Sequence, residues 1–230
     1  DGITYLKRAA ELLSDKETLA DIHFKIGNIY LWAGSKKQAY PYFEKSLGMV
    51  SDNANARLKL VDIYAALYKN SSALKQLNYL YDSSQINFEK RMLLAEFNIH
   101  AGEFEKAGIL LNKAEVIYPY RVPEITDLRG RLNMLANKPK QAIGFYENYS
   151  NLVSNDKHMI SAYTLARLYA KTGNNNKAMQ WLETAIGYGF NYTYVLQNDS
   201  YMEDLRKTAK WQKLINSITI KTYNKSKTVN

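Results

Sequence analysis

Few side chains in this 230-residue chain could do covalent or acid–base chemistry. There is no cysteine, which removes thiolate nucleophiles, disulfides, zinc ribbons and cysteine-ligated clusters together. The three histidines are His23, His100 and His158. His23 falls inside an apolar-periodic stretch, where packing is the usual role. His100 lies at the end of such a stretch, and His158 at a helix start, where solvation is expected. None has a serine and an aspartate at a suggestive local spacing, although a triad is assembled in space and not along the chain. There is no zinc-protease helix motif, no phosphate-binding loop and no kinase signature. Gly187-Tyr188-Gly189 opens like a dinucleotide fingerprint. It lacks a third glycine and a preceding strand, and reads as a helix end. Asp82, Asp156 and Asp199 stand alone in turns, where capping or solvation is the default role, and no calcium-loop pattern occurs. The expectation is a non-catalytic protein with no cofactor and no bound metal.

The composition fits an ordinary globular protein, at 46% hydrophobic and 23% charged residues, with too few prolines and glycines for a collagen-like or disordered chain. A chain of this length buries roughly 70% of its unfolded surface, so its core needs no covalent staple. A net charge of +9 raises the question of an anionic partner. Seven of the bases, from Arg206 to Lys227, lie in the final segment from Leu205 to Asn230, which holds no acid; the remainder is nearly balanced. The basic character therefore belongs to the C-terminal end, and nucleic acid becomes the last of the readings. No stretch approaches the roughly 18 apolar residues of a membrane helix, and the first ten residues carry no signal pattern. Membrane insertion is not expected, and the compartment stays open between cytoplasm and periplasm.

The elements that must position any site follow from a repeat. Ala39, Ala73, Ala107, Ala142 and Ala178 recur at intervals of 34 to 36 residues. Four residues after each alanine stands Phe43, Leu77, Leu111, Tyr146 or Leu182. Three further on comes Ser46, Leu80, Ala114, Tyr149 or Ala185. Twelve before it stands Gly27, Val61, Ala95, Gly130 or Ala166. The spacings of 3, 4 and 7 are helical. Each unit reads as two helices with a turn between them, at Ala33-Gly34-Ser35, Lys69-Asn70-Ser71, Ala101-Gly102-Glu103, Asn137-Lys138-Pro139 and Thr172-Gly173-Asn174. The small residues twelve before each alanine would let the first helix approach its partner, with the alanine filling the contact.

This pattern resembles the tetratricopeptide repeat, a helix-turn-helix unit of 34 residues. The best matches are AYTLARLYAKTGNNNKAMQWLETAIG at 162–187 and IHFKIGNIYLWAGSKKQAYPYFEKSL at 22–47. Asn98 and Asn133 stand where the family usually has tyrosine. The resemblance implies an all-α fold, a right-handed α-solenoid of stacked units. The expected organisation is a half repeat or capping helix at 1–18 and five repeats over 19–189, at about 20–53, 54–87, 88–121, 122–157 and 158–189. Capping helices at 190–218 and a frayed basic tail at 219–230 would follow. A half repeat at the start is expected of a piece of a longer array. The cap would bring Leu196, Met202, Leu205, Trp211, Leu214 and Ile215 inward to cover the last repeat.

In this family the first helix of each unit lines a concave face that contacts peptides. The resemblance therefore nominates a groove of Phe24, Asn28, Leu31, Trp32, Leu58, Asp62, Glu89, Met92, Glu96, His100, Asp127, Arg131, Tyr163, Arg167 and Lys171, with Ala65, Glu124 and Met134 beside them. Phe24, Trp32, Leu58 and Met92 would form an apolar strip. Asp62, Glu89, Glu96, Glu124 and Asp127 would oppose Arg131, Arg167 and Lys171 in a groove polarised by charge. A clamp for a terminal carboxylate is not expected, because Phe24 and Asp62 stand at two of its positions. The leading functional expectation is a protein-interaction scaffold, in a bacterial protein, binding an unknown protein or peptide. A regulatory or positioning domain of a larger multidomain enzyme is the alternative.

Overall fold

The computed structural model describes residues 2–227 and is all α, with no strand among them. The chain divides into two compact units, Asp1–Phe97 and Asn98–Asn230. The first unit holds α1 (Gly2–Leu12), α2 (Lys16–Trp32), α3 (Lys36–Met49), α4 (Ala54–Ala66) and α5 (Asn70–Asp82); the division falls within α6 (Phe88–His100). The second unit continues with α7 (Phe104–Ile117), α8 (Val122–Leu135), α9 (Pro139–Leu152), α10 (Asn155–Lys171) and α11 (Asn175–Gly187). It closes with α12 (Thr193–Asn198), a 3-10 turn (Ser200–Met202), α13 (Glu203–Arg206) and α14 (Ala209–Lys227). No described helix is long and apolar enough to cross a membrane.

One stop signal ends every first helix. A backbone N–H donates back across the turn to the carbonyl five residues earlier: Ser35 to Tyr30 at 2.8 Å, Lys69 to Tyr64 at 2.8 Å, Glu103 to Asn98 at 2.8 Å, Lys138 to Asn133 at 2.8 Å and Asn174 to Tyr169 at 2.9 Å. Such a bond needs a left-handed residue just inside it, because only that conformation turns the chain back over its last carbonyls. Gly34, Gly102 and Gly173 supply it at φ +75°, +79° and +78°. Asn137 supplies it at φ 55° and Tyr68 at φ 57°. The second turn therefore falls at Leu67-Tyr68-Lys69 and not at Lys69-Asn70-Ser71, since Asn70 already begins α5. Starts are capped at several helices: the Asp15, Asn53 and Asn174 side chains accept from the N–H of Thr18, Ala56 and Lys177.

Close approach within a pair is set by rings. A Cβ on Gly27 would lie 2.8 Å from the Phe43 ring, and one on Gly130 would lie 2.8 Å from the Tyr146 ring. The ring four residues after the alanine, and not the alanine alone, fills the space the glycine leaves. In the fourth pair Ser150 is buried while Tyr149 is half-exposed, so the inward position there is one residue later than the repeat predicts. The first unit has a core of Ala39, Phe43, Ala56, Leu60, Ile63, Tyr64 and Ala73. In the second unit a core through Tyr146, Leu165, Tyr169 and Leu182 runs on into Leu196, Met202, Leu205, Trp211 and Ile215, with Leu214 partly buried beside them. The closing helices are thus part of one core with the last pair. Helix α14 continues to Lys227, so the expected frayed tail is helical that far; residues 228–230 lie outside the described residues.

Candidate functional site

In the first unit the nominated side chains separate by helical phase. Phe24 and Leu31, seven residues apart, share a face of α2 that packs on the core, and the Phe24 ring meets Phe43 edge-on at 5.4 Å. Trp32, one residue further round the helix, points into solvent and is 85% exposed. The expected apolar strip is therefore not one surface: Phe24 belongs to the core and Trp32 to the outside. Asn28, Leu58, Met92 and Glu96 are half-buried, while Asp62 and Glu89 are exposed. Lys90 of α6 forms an ion pair with Asp62 of α4. That contact sets the first helices of successive pairs side by side.

In the second unit His100 is exposed and ends α6. Asp127 and Arg131 sit one turn apart on α8, with Arg131 Nε 3.5 Å from the Asp127 carboxylate. Tyr163, Arg167 and Lys171 line α10, but the closing segment has taken them. Arg167 Nε lies 2.7 Å from Asp199 Oδ2, and the Asp199 side chain is only 7% exposed. The Tyr163 hydroxyl donates to the same Asp199 oxygen at 2.6 Å. The Tyr201 ring lies under the Arg167 guanidinium at 4.9 Å and the Lys171 ammonium at 5.5 Å. Lys171 Nζ also donates to Asn137 Oδ1 at 3.0 Å. Burial, followed by the hydrogen bond to Asp199, pushes the Tyr163 hydroxyl well above the usual tyrosine range.

Asp199 takes the capping role expected of it and a second role that the sequence did not signal. It is neither solitary nor solvated; it caps the 3-10 turn through the Tyr201 N–H at 3.0 Å and ties the closing segment to α10. Several of the nominated charges have partners close by: Asp62 pairs with Lys90, Asp127 with Arg131 and Arg167 with Asp199. His158, expected in solvent, is half-buried, with its ring 4.2 Å from Tyr188 and Nδ1 3.0 Å from the Ser150 carbonyl. His23 packs beside Tyr42 at 6.0 Å, and burial, helped by the nearby Lys45 charge, holds its pKa below the ordinary value. Gly187 ends α11, and the Gly187-Tyr188-Gly189 segment follows a helix and not a strand. Among the described residues no group of three or more His, Asp or Glu side chains is placed to hold a metal ion.

The open concavities of the second unit are shallow. One of about 470 Å³ lies over the clasp and is lined by Tyr163, Arg167, Tyr194, Val195, Asn198, Asp199 and Ser200. Another, of about 690 Å³, lies between Pro123-Glu124 at the start of α8 and the junction of α9 with α10. In the first unit, Gly34, Ser35, Lys36, Lys37, Gln38 and Leu67 enclose about 540 Å³ where the first two turns meet.

Comparison with known proteins agrees with this architecture. Residues 161–188 match the tetratricopeptide repeat family model. No curated protein is significantly similar to the chain in sequence. The fold is similar to that of a tetratricopeptide repeat protein from Parabacteroides merdae, at TM-score 0.67 and 16% identity, over 94% of this chain and 85% of that one. It is similar to YrrB, described as a TPR protein with an unusual peptide-binding site, at TM-score 0.65 and 16% identity over 84% and 96% of the two chains. Pseudomonas aeruginosa pilF matches at TM-score 0.62 and 20% identity over 90% and 92%. With the recurring stop signal and the interlocked helix pairs, residues 161–188 match one tetratricopeptide repeat and the chain has the all-α fold of tandem helix pairs seen in the tetratricopeptide repeat structures it resembles.

Proposed function

We propose that the protein is a non-catalytic interaction module that holds an extended peptide or a partner segment against the first helices of its pairs. In the first unit that surface is offered by α2, α4 and α6. The observation that carries the reading is the Asp62–Lys90 pair, which joins α4 to α6; the half-buried Asn28, Leu58, Met92 and Glu96 on α2, α4 and α6 would supply the amphipathic lining a peptide needs. The fold likeness to YrrB, whose own peptide-binding site is on record, supports it. The clasp narrows it: Tyr163 and Arg167 are committed to Asp199, so the first-unit positions are the better candidates. Peptides selected from a random display library against the full chain test this reading. Asn28→Ala, Leu58→Ala and Glu96→Lys should each raise the Kd of a selected peptide about tenfold. Selected peptides whose affinity none of the three alters would overturn it.

A further inference from the structure

The first unit carries a second surface, at the edge where its turns meet. Tyr68 and Trp32 are the two most exposed large hydrophobic residues of the described chain, at 90% and 85%. Tyr68 is also conformationally costly. It holds φ 57° at the turn position that Gly34, Gly102 and Gly173 fill elsewhere. A β-carbon is disfavoured in that region, and a side chain kept there without packing is a pointer to function.

The charge around the two rings is of one sign. Lys36 and Lys37 line the concavity that Leu67 closes. The Lys69 ammonium lies 4.0 Å from the Tyr40 ring centre, so the second turn is held over α3. Residues 31–43 and 63–81 contain no aspartate or glutamate. Glu44, just beyond, is engaged by the Tyr64 hydroxyl. The edge is therefore an apolar floor at Leu67, flanked by lysines and by two unpacked rings. Exposed rings beside a small apolar floor are the aromatic signature of an interface, and the lysines at its margin supply the charge that would select a partner.

We propose that this edge docks an acidic segment of a partner protein, with an apolar side chain seated against Leu67 between Lys36 and Lys37 and flanked by the Trp32 and Tyr68 rings. Charge complementarity selects the occupant, since a basic or neutral segment would leave Lys36 and Lys37 unanswered. The proposal rests on the reading of the chain as an interaction module but uses a different surface from the first-helix lining.

A fluorescein-labelled peptide alternating glutamate and leucine, titrated against the full chain by anisotropy at low salt, is the test. Binding should weaken about tenfold in the Lys36→Glu/Lys37→Glu variant and in Trp32→Ala/Tyr68→Ala, and should fall as salt is raised. Trp32 supplies an internal readout: Trp211 is buried and Trp181 half-buried, so an emission shift on binding reports the turn edge. Leu58→Ala should leave this affinity unchanged. If Leu58→Ala weakens the probe and the lysine variant does not, the probe sits on the first-helix lining; this proposal then fails and the general reading stands. Absence of binding, or tighter binding of an oligothymidylate than of the peptide, overturns the turn-edge proposal alone.

Discussion

Asp199 and Arg167, 2.7 Å apart, hold the closing segment of the chain onto α10. The carboxylate is nearly buried, pairs by charge with Arg167 and accepts the Tyr163 hydroxyl, so removing it leaves one cation and one donor unanswered. Asp199→Ala should lower stability by about 1–2 kcal/mol, because the Tyr163 hydroxyl loses its charged acceptor and the part-exposed Arg167 its counter-charge. Tyr163→Phe should cost about 1 kcal/mol. A double-mutant cycle by urea denaturation measures the coupling; additive effects of Asp199→Ala and Arg167→Ala would show that the pair is not the clasp.

The glycines divide into two classes by what surrounds them. Gly27→Ala and Gly130→Ala put a Cβ 2.8 Å from a ring and should destabilise by about 1–3 kcal/mol through overpacking. Gly144 lies in α9 with nothing within 4 Å of an added Cβ. Gly144→Ala should raise the melting temperature, gaining about 1 kcal/mol of helix propensity. Equal effects at Gly144 and Gly130 would contradict the assignment of ring contact.

Tyr68 should show stability and binding pulling apart. Tyr68→Gly relieves a left-handed tyrosine and should stabilise the fold by about 1 kcal/mol. The same change should weaken the acidic probe of the turn edge. Thermal melts and anisotropy on one sample check both directions; a destabilised Tyr68→Gly variant would mean that the ring packs in solution.

His23 predicts a pH trend. Its folded pKa lies below its ordinary value of 6.5, with desolvation as the main cause. The unfolded chain then binds a proton first as pH falls. The stability associated with neutral His23 is complete above 6.5 and is lost progressively below it, down to the folded pKa. His23→Gln should flatten the loss of stability between about pH 7 and 5 in urea titrations. An unchanged slope would assign the acid sensitivity to other groups.

Much of this architecture is legible in the sequence, because the signals that build it are local. Gly34 and Ala39 are five residues apart, and the stop signal, helix start and inward ring all fall within one pair. The helical phase of Trp32 against Phe24 and Leu31 is also readable, since one residue is about 100° of rotation and moves a side chain from core to solvent. The Asp199–Arg167 contact is not readable in this way. It spans a whole helix pair, and an isolated aspartate before a short helix looks like any solvated cap. Tyr68 was hidden for a different reason: Asn70 and Ser71 are better turn formers by type, but here they begin a helix.

The pattern of neighbours also has a mechanical meaning. Helix α2 touches α3, α3 touches α4 and α4 touches α5; in the second unit α8, α9, α10 and α11 follow the same rule. Bonds between partners adjacent in the chain peel one at a time, so a stretched molecule would yield in short, weak steps. The closing segment departs from this rule: the 3-10 turn reaches back past α11 to α10, and α13 and α14 both contact α11. A load drawn from the C-terminal side must pull α14 off α11 and α12 and shear the Asp199 clasp before it reaches α10, so that end yields in one larger step.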